Sequence, residues 1–192
     1  MPASPDVNNY HIGKGIVSWK ESGSAEFVDV GNSPSFVYQP TTEKKEHFSS
    51  REGIKVKDFT ALTSVGATIK FTLDEITGQN LSFLVLGDQD TTTPGEITID
   101  GLTKTEVVGD IKVTGTNDIG LKVDFLATVT IIPEGEFSFI TDTDDFTLIT
   151  ISAEVQKDAT TGAFGQWTIH DTVAPLATAM PREPVDERVE VA

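Results

Sequence analysis

Hydrophobic and polar residues alternate along most of the chain. Ile69, Phe71 and Leu73 are separated by threonine and lysine, and residues 121–131 continue this alternation over a longer run. A period of two places every second side chain on one face, which is typical of strands with one buried face. Residues such as Gly, Pro, Asn and Asp separate the runs and predict turns. The pattern predicts strands over residues 16–20, 27–30, 35–39, 69–73, 96–100, 105–113, 121–131, 149–155 and 167–169.

One segment has a helical period instead. Leu81, Leu84 and Val85 follow the i, i+3, i+4 spacing of a helix face, and Gly87 comes directly after them. This predicts one short helix over residues 79–86 that ends at a glycine C-cap. Residues 74–75, both acidic, offer an alternative start one turn earlier, because acids favour helix N-termini.

These elements predict an all-β fold, either a β-sandwich or a barrel-like sheet, with one short helix packed on it and long loops. From Val173 the alternation stops, and Pro175, Pro181 and Pro184 stand among mixed charges. Such a composition is typical of a flexible tail. We therefore expect a β domain over residues 1–172 and a flexible, Pro-rich, acidic tail over residues 173–192.

Composition narrows the class of protein. The 192 residues are 38% hydrophobic and contain no cysteine, and the mean hydropathy is −0.11. Disulfides and cysteine-ligated zinc are therefore excluded. No apolar run is long enough for a membrane span, and residues 1–13 lack the pattern of a secretory signal. We expect no membrane association.

The net charge of −16 is unevenly distributed. Residues 1–72 carry eight basic and eight acidic residues, whereas residues 73–192 carry six basic and 22 acidic ones, so the second part holds the whole excess. Such a chain should repel DNA phosphates, since binding a duplex depends on Lys and Arg. The charge equally serves solubility alone. Between Lys122 and Lys157 every charged residue is acidic: Asp124, Glu134, Glu136, Asp142, Asp144, Asp145 and Glu154.

No constellation of reactive groups predicts an enzyme. The three histidines are His11, His47 and His170, and no Gly-x-Ser-x-Gly elbow accompanies the His170-Asp171 pair. The acids at 142–145 do not continue as a calcium loop, because Thr147 stands where that loop needs glycine. We expect neither a metal site nor a cofactor.

Several short motifs follow one another over residues 9–87. They are Tyr10-His11-Ile12-Gly13-Lys14-Gly15 followed by Trp19, then Phe27-Val28-Asp29-Val30-Gly31-Asn32-Ser33-Pro34, a polar stretch over 43–53 followed by Lys57-Asp58, and Phe71-Thr72-Leu73-Asp74-Glu75-Ile76 leading to Asn80-Leu81. In their order and spacing, these motifs resemble the major tail-tube protein of siphophages.

The resemblance implies a structural virion protein that forms hexameric rings, which stack into a tail tube. It implies that tape measure, tail tip and tail terminator proteins are partners, and that double-stranded DNA passes through without tight binding. It also implies synthesis and assembly in the host bacterial cytoplasm and a final location in the virion tail. The family's inter-ring stacking loop matches Glu43, Lys44, Lys45, Glu46, His47, Phe48, Ser49, Ser50, Arg51, Glu52 and Gly53.

The run of acids between Lys122 and Lys157 is our candidate for the lumen wall of such a tube. An acidic lumen would repel DNA and prevent it from sticking. The alternative is that these acids lie on the exterior of the tube.

Other functions fit the same pattern. A tail terminator, a distal-tail ring protein or the tube of a contractile injection system would have a related fold. A carbohydrate-binding β-sandwich would need exposed aromatic side chains, but Trp19 and Trp167 both lie in strand patterns that predict packed core rings.

Overall fold

The computed structural model describes residues 10–138, 140 and 146–170, with residues 52 and 133–136 described by their backbone alone. Within these ranges the chain forms ten strands and one helix. In chain order they are β1 (Gly15–Glu21), β2 (Val28–Asp29), β3 (Ser35–Glu52), β4 (Ile54–Leu73), α1 (Gly78–Val85), β5 (Gln89–Asp90), β6 (Thr98–Ile99), β7 (Val107–Gly115), β8 (Lys122–Glu136), β9 (Ile149–Val155) and β10 (Gln166–His170). The predicted all-β fold with one short helix is confirmed.

Eight of the strands form one antiparallel sheet in the order β2-β1-β7-β8-β9-β4-β3. The eighth, β10, pairs with the first part of β8, and β9 pairs with the later part of β8. Strands β5 and β6 form a separate two-stranded sheet, so the strand predicted over 96–100 is reduced to two residues.

The alternation of the sequence becomes the burial pattern of the sheet. Ile69, Leu73, Val129, Ile149 and Ala153 are completely buried. Each lies on the face that the pattern predicts, and together with the neighbouring strands they form one continuous core.

The sheet is strongly curled. Phe36 on β3 lies 5.9 Å from Phe125 on β8, and Tyr38 lies 5.6 Å from the same ring, measured between ring centroids. Since β9 and β4 separate β8 from β3 in the sheet, these contacts require the sheet to bend round until its edge faces its centre. The fold is thus barrel-like, with helix α1 packed against β8 and β9.

The helix begins and ends differently from the prediction. Thr77 is the N-cap, and its hydroxyl accepts a hydrogen bond from the Asn80 amide at 3.1 Å. At the other end Leu86, not Gly87, takes the left-handed conformation, with φ 47°. Gly87 serves another purpose, because a Cβ there would lie 2.4 Å from the backbone oxygen of Asp100. Glycine is needed for this close approach and not for the cap.

The predicted loop over Glu43–Gly53 is wrong as a structure. Strands β3 and β4 pair along nearly their whole length, from Ser35 opposite Thr72 to Glu52 opposite Ile54. The polar stretch is therefore the outer part of a long β-hairpin, with Gly53 at its tip in a left-handed conformation at φ +73°. Cross-strand pairing continues both strands beyond the point where alternating hydrophobic and polar residues predict them.

Candidate functional site

The hairpin extends well beyond the body of the protein. Ala67 is the last buried residue of β4 towards the tip, and nearly all side chains from Pro40 to Gly66 are exposed or only partly covered. We call residues 40–66 the arm. At about 3.3 Å per residue its strands reach about 40 Å from the body. A two-stranded ribbon of this length without a packed face is marginally stable in water by itself.

Large apolar side chains are exposed along the arm. They are Phe48, Ile54, Val56, Phe59, Leu62 and Val65, with exposed fractions between 37% and 75%. Isolated exposed apolar residues are ordinary, but a group of them on one projecting element marks an interaction surface.

Irregular pairing sorts these side chains onto two faces. The register shifts once between Glu43 and Lys44 and again between His47 and Phe48. Each shift adds a residue to β4, so residues three apart come to share a face. Val65 and Leu62 therefore lie on the side of the ribbon that continues the core-facing side of the sheet. By the same pairing, Phe59 and Val56 lie together on the opposite side.

Polar side-chain contacts connect the two strands in the outer part of the arm. His47 Nδ1 lies 2.6 Å from a carboxylate oxygen of Asp58, and Lys57 is paired with Glu46. The Lys55 ammonium lies 5.2 Å from the centre of the Phe48 ring, and Phe48 has the lowest exposed fraction of these apolar side chains, 37%. These partners face each other across the two strands, so the predicted stacking residues are ordered by β4.

A second exposed apolar surface lies beside the opening of the curled sheet. A cavity of about 620 Å³ separates β1 from β3, and its walls include Phe36, Tyr38, Phe125 and Trp167. Trp19 is buried as predicted, at 3% exposure, but the prediction that Trp167 is a core ring is wrong, because it is 51% exposed. Trp167 packs against Phe125 and Tyr38 on one side, at centroid distances of 4.4 and 5.4 Å, and nothing in the described chain covers its other side.

The candidate lumen acids fall into three groups. Asp142, Asp144 and Asp145 lie outside the described residues, and Glu134 and Glu136 are described by their backbone alone, in β8. Asp124 and Glu154 lie on β8 and β9. The buried residues of β8 are odd-numbered, from Phe125 to Ile131, and Glu154 lies between the buried Ala153 and Val155, so both acids point away from the core.

That outward face is not exclusively acidic. Lys112 and Lys122 share it with Asp124, and Lys70 shares it with Glu154. Asp124 itself accepts hydrogen bonds from the Gly115 amide at 2.9 Å and pairs with His170 at 2.8 Å. The hydrogen bond to His170, followed by that from Gly115, lowers the pKa of Asp124 below the ordinary value.

A polar groove of about 500 Å³ lies on the same side of the sheet. Asp110 at its edge pairs with the Lys20 ammonium at 2.8 Å and accepts a hydrogen bond from the Thr128 hydroxyl at 2.7 Å. Burial opposes the ionisation of Asp110, but these two partners outweigh it and lower its pKa.

Among the described residues no three His, Asp or Glu side chains are grouped to hold a metal ion. No helix in the same residues is long and apolar enough to cross a membrane.

The sequence analysis singles out the polar strand of the arm, which is part of β3, but not its apolar return strand, which is part of β4. Residues 54–65 were not predicted as a strand, because Val56, Phe59, Leu62 and Val65 are spaced by three. The available signal was their β-branched and aromatic character directly after a glycine, which favours the return strand of a hairpin.

Solved structures similar to this one include tail and injection-system components. A chain of the anti-feeding prophage baseplate is 9% identical over 87% of this chain and 97% of that chain, with a TM-score of 0.46. A chain of the sheath–tube complex of an extracellular contractile injection system (PVC) in its extended state is 13% identical over 83% and 91%, with a TM-score of 0.48. A chain from the tail of an empty GTA particle is 12% identical over 81% and 95%, with a TM-score of 0.42. With TM-scores below 0.5, these likenesses support no assignment by themselves.

No curated protein matches the sequence. A family model described as protein of unknown function UCP028589 matches residues 10–119, which run from before β1 to the turn after β7. The match spans more than half of the chain and includes the whole arm. The chain therefore belongs to the family of proteins of unknown function UCP028589.

Proposed function

We propose that this protein is a structural subunit of a phage-type tail tube, and that the arm joins it to neighbouring copies. The observation that carries the proposal is the arm itself, a hairpin about 40 Å long with apolar side chains on both faces. The order of motifs over residues 9–87, which resembles the siphophage tail tube, supports the same role.

The arm needs a surface to cover it. Leu62 and Val65 extend the apolar stripe of the core past the edge of the body, and they are 57% and 51% exposed. A second copy of the same chain in a closed ring would cover every arm in the same way, and no unpaired arm would be left over. A ring of six copies is the number that the resemblance implies.

The outer part of the arm is the proposed contact between rings. Residues 43–53 carry the cross-strand pairs Glu46–Lys57 and His47–Asp58 at the surface. Charged groups at a contact set register and selectivity more than affinity. We therefore assign ring-to-ring alignment to this part and the main apolar contact to Leu62 and Val65.

The outward face of β7, β8 and β9 is the proposed lumen wall. Its support is that Asp124 and Glu154 share this face with many threonines. Since Lys112 and Lys122 offset these acids, repulsion of DNA would depend on the acids at 134–145.

Reversing Asp142, Asp144 and Asp145 to lysine should allow assembly but slow DNA ejection. The matched control reverses Asp90, Glu96 and Asp100, which are exposed in the structure and give the same change in net charge. Equal ejection by both variants would place the acids outside the lumen.

The experiment that tests the tube is negative-stain electron microscopy over a concentration series. We expect rings or hollow tubes with six-fold averages from the full chain. The test variant replaces residues 43–64 by Asn-Gly, since Thr42 pairs with Val65 and a two-residue turn can join the strands directly beyond that pair.

The shortened variant should keep the circular dichroism and the cooperative unfolding of the parent, because the arm contributes nothing to the core. It should form no rings. Rings formed at the same protein concentration as the parent would refute the role of the arm. A full chain that stays monomeric at every concentration, even with a tail tip added as initiator, would refute the tube.

A further inference from the structure

Strand β10 carries apolar side chains that the fold leaves uncovered. Trp167 and Ile169 pair with Phe125 and Val123 on β8 and so lie on the core-facing side of the sheet. They are nevertheless 51% and 61% exposed, whereas Phe125 is 2% exposed. The cavity lined by Phe36, Tyr38, Phe125 and Trp167, here called the aromatic cavity, is therefore open on the side of β10.

The chain continues from this point. Strand β10 ends at His170, opposite Lys122, and the bond between His170 and Asp124 fixes the end of the strand to β8. The sequence has 22 further residues, 171–192, all outside the described part. Whatever lies directly after His170 starts beside the cavity.

The first part of that continuation has the composition that suits an aromatic surface. Residues 173–181 read Val-Ala-Pro-Leu-Ala-Thr-Ala-Met-Pro and contain no charge, whereas residues 182–192 are dominated by Arg, Asp and Glu. Proline-containing apolar segments bind grooves lined by aromatic rings, because the extended conformation is already favoured and little entropy is lost. Tyr38 and Trp167 contact each other edge to face, with their ring planes at 89°, and both rings line the cavity.

We propose that residues 173–181 dock on the aromatic cavity of their own chain, with Leu176 against Trp167 and Ile169. The attachment at His170 favours this occupant, because a segment joined by a few residues has an effective concentration in the millimolar range. A span from His170 to Leu176 reaches up to about 20 Å, whereas Trp167 lies three residues before His170 on β10, about 10 Å away, so Leu176 can reach it. The proposal concerns the single subunit and does not depend on tube formation.

The test uses acrylamide quenching of tryptophan fluorescence in the dilute full chain. The sequence has two tryptophans, and Trp19 is buried, so a change in quenching reports on Trp167. Leu176→Asp should weaken docking by about tenfold or more, since burial of a leucine side chain is worth one to two powers of ten in an equilibrium constant. Quenching of Trp167 should rise accordingly. Val189→Asp, the same kind of change outside the apolar segment, is the matched control and should leave quenching unchanged.

A photoreactive benzoylphenylalanine in place of Leu176 identifies the occupant. Crosslinks to peptides containing Tyr38 or Trp167, at the mass of a single chain, are the expected result. Crosslinks at the mass of two chains would overturn the proposal, because the cavity would then hold a segment of a second copy. Quenching that is equal in the parent and Leu176→Asp would overturn it as well.

Discussion

Replacing Leu62 and Val65 together by threonine should separate folding from assembly. Both residues lie on β4 beyond the last buried residue, on the same face of the ribbon. Threonine has the β-branched shape that strands favour and adds no charge, so the strand itself should be retained. The change removes apolar surface and little else.

The exposed fractions set the magnitude. Complete burial of a Leu or Val side chain is worth about 1.5–3 kcal/mol. Since the two are 57% and 51% exposed in the free subunit, about half of that remains to be gained in a contact. This is about 1 kcal/mol for each side chain and about 2 kcal/mol for the pair. The association constant of one contact should fall about 30-fold.

The free energy of unfolding should hardly change. Substitutions at exposed positions are usually within about 0.5 kcal/mol of the parent. Urea denaturation of the monomer measures this part, and sedimentation velocity measures the concentration at which rings first form. Ile97→Thr is the control, because Ile97 is 56% exposed and lies away from the arm. Its ring formation should match that of the parent.

Two results would contradict this reasoning. If the double variant loses more than about 1 kcal/mol of stability, the arm packs on its own subunit in solution. If ring formation begins at an unchanged concentration, these two side chains are not part of the contact.

Three further predictions concern the fold. Ile69→Ala should lower the free energy of unfolding by about 2–5 kcal/mol in urea denaturation, because Ile69 is completely buried and the change leaves a cavity; a loss below about 1 kcal/mol would mean that the sheet collapses around the site. Thr77→Ala should cost about 1 kcal/mol by the same measurement, because the Asn80 amide loses its acceptor, and Thr77→Ser should restore it. The lowered pKa of Asp124 stabilises the fold above the unfolded pKa of about 3.9, and this stability is lost as the pH falls through the lower folded pKa. Asp124→Asn should therefore be less stable than the parent at pH 7 and should lose less stability between about pH 4 and pH 2; parallel curves for the two proteins would refute this linkage.

The sequence predicts the buried part of the sheet well and the exposed part poorly, for one physical reason. A strand with one face on the core has alternating side chains, and β4 near Ile69, β8 and β9 all show that pattern. The arm has no core to face, so no alternation marks it. Its pairing depends instead on cross-strand partners such as Glu46 with Lys57.

The prediction that Trp167 is buried is wrong for a related reason. Its alternation with Ile169 correctly predicts β10 and the side of the sheet on which both lie. Burial needs a second surface opposite that side, and the local pattern carries no information about it. Asp124 on β8 shows the same limit, because Lys112, which offsets its charge, belongs to β7 and lies near it only through strand pairing.

The edge strand explains why the arm, and not the whole sheet edge, is the proposed contact. Strand β3 is the last strand of the sheet, and such an edge offers unpaired backbone groups to any other chain. Pro40 lies on β3 where the strand leaves the body, and proline cannot donate a backbone hydrogen bond to a further strand. Pairing of whole sheets, edge to edge, is thus interrupted next to the core, while the apolar side chains beyond it remain available. This arrangement favours contacts made by side chains of a projecting ribbon, which fix the position of the neighbour, over open-ended addition of strands.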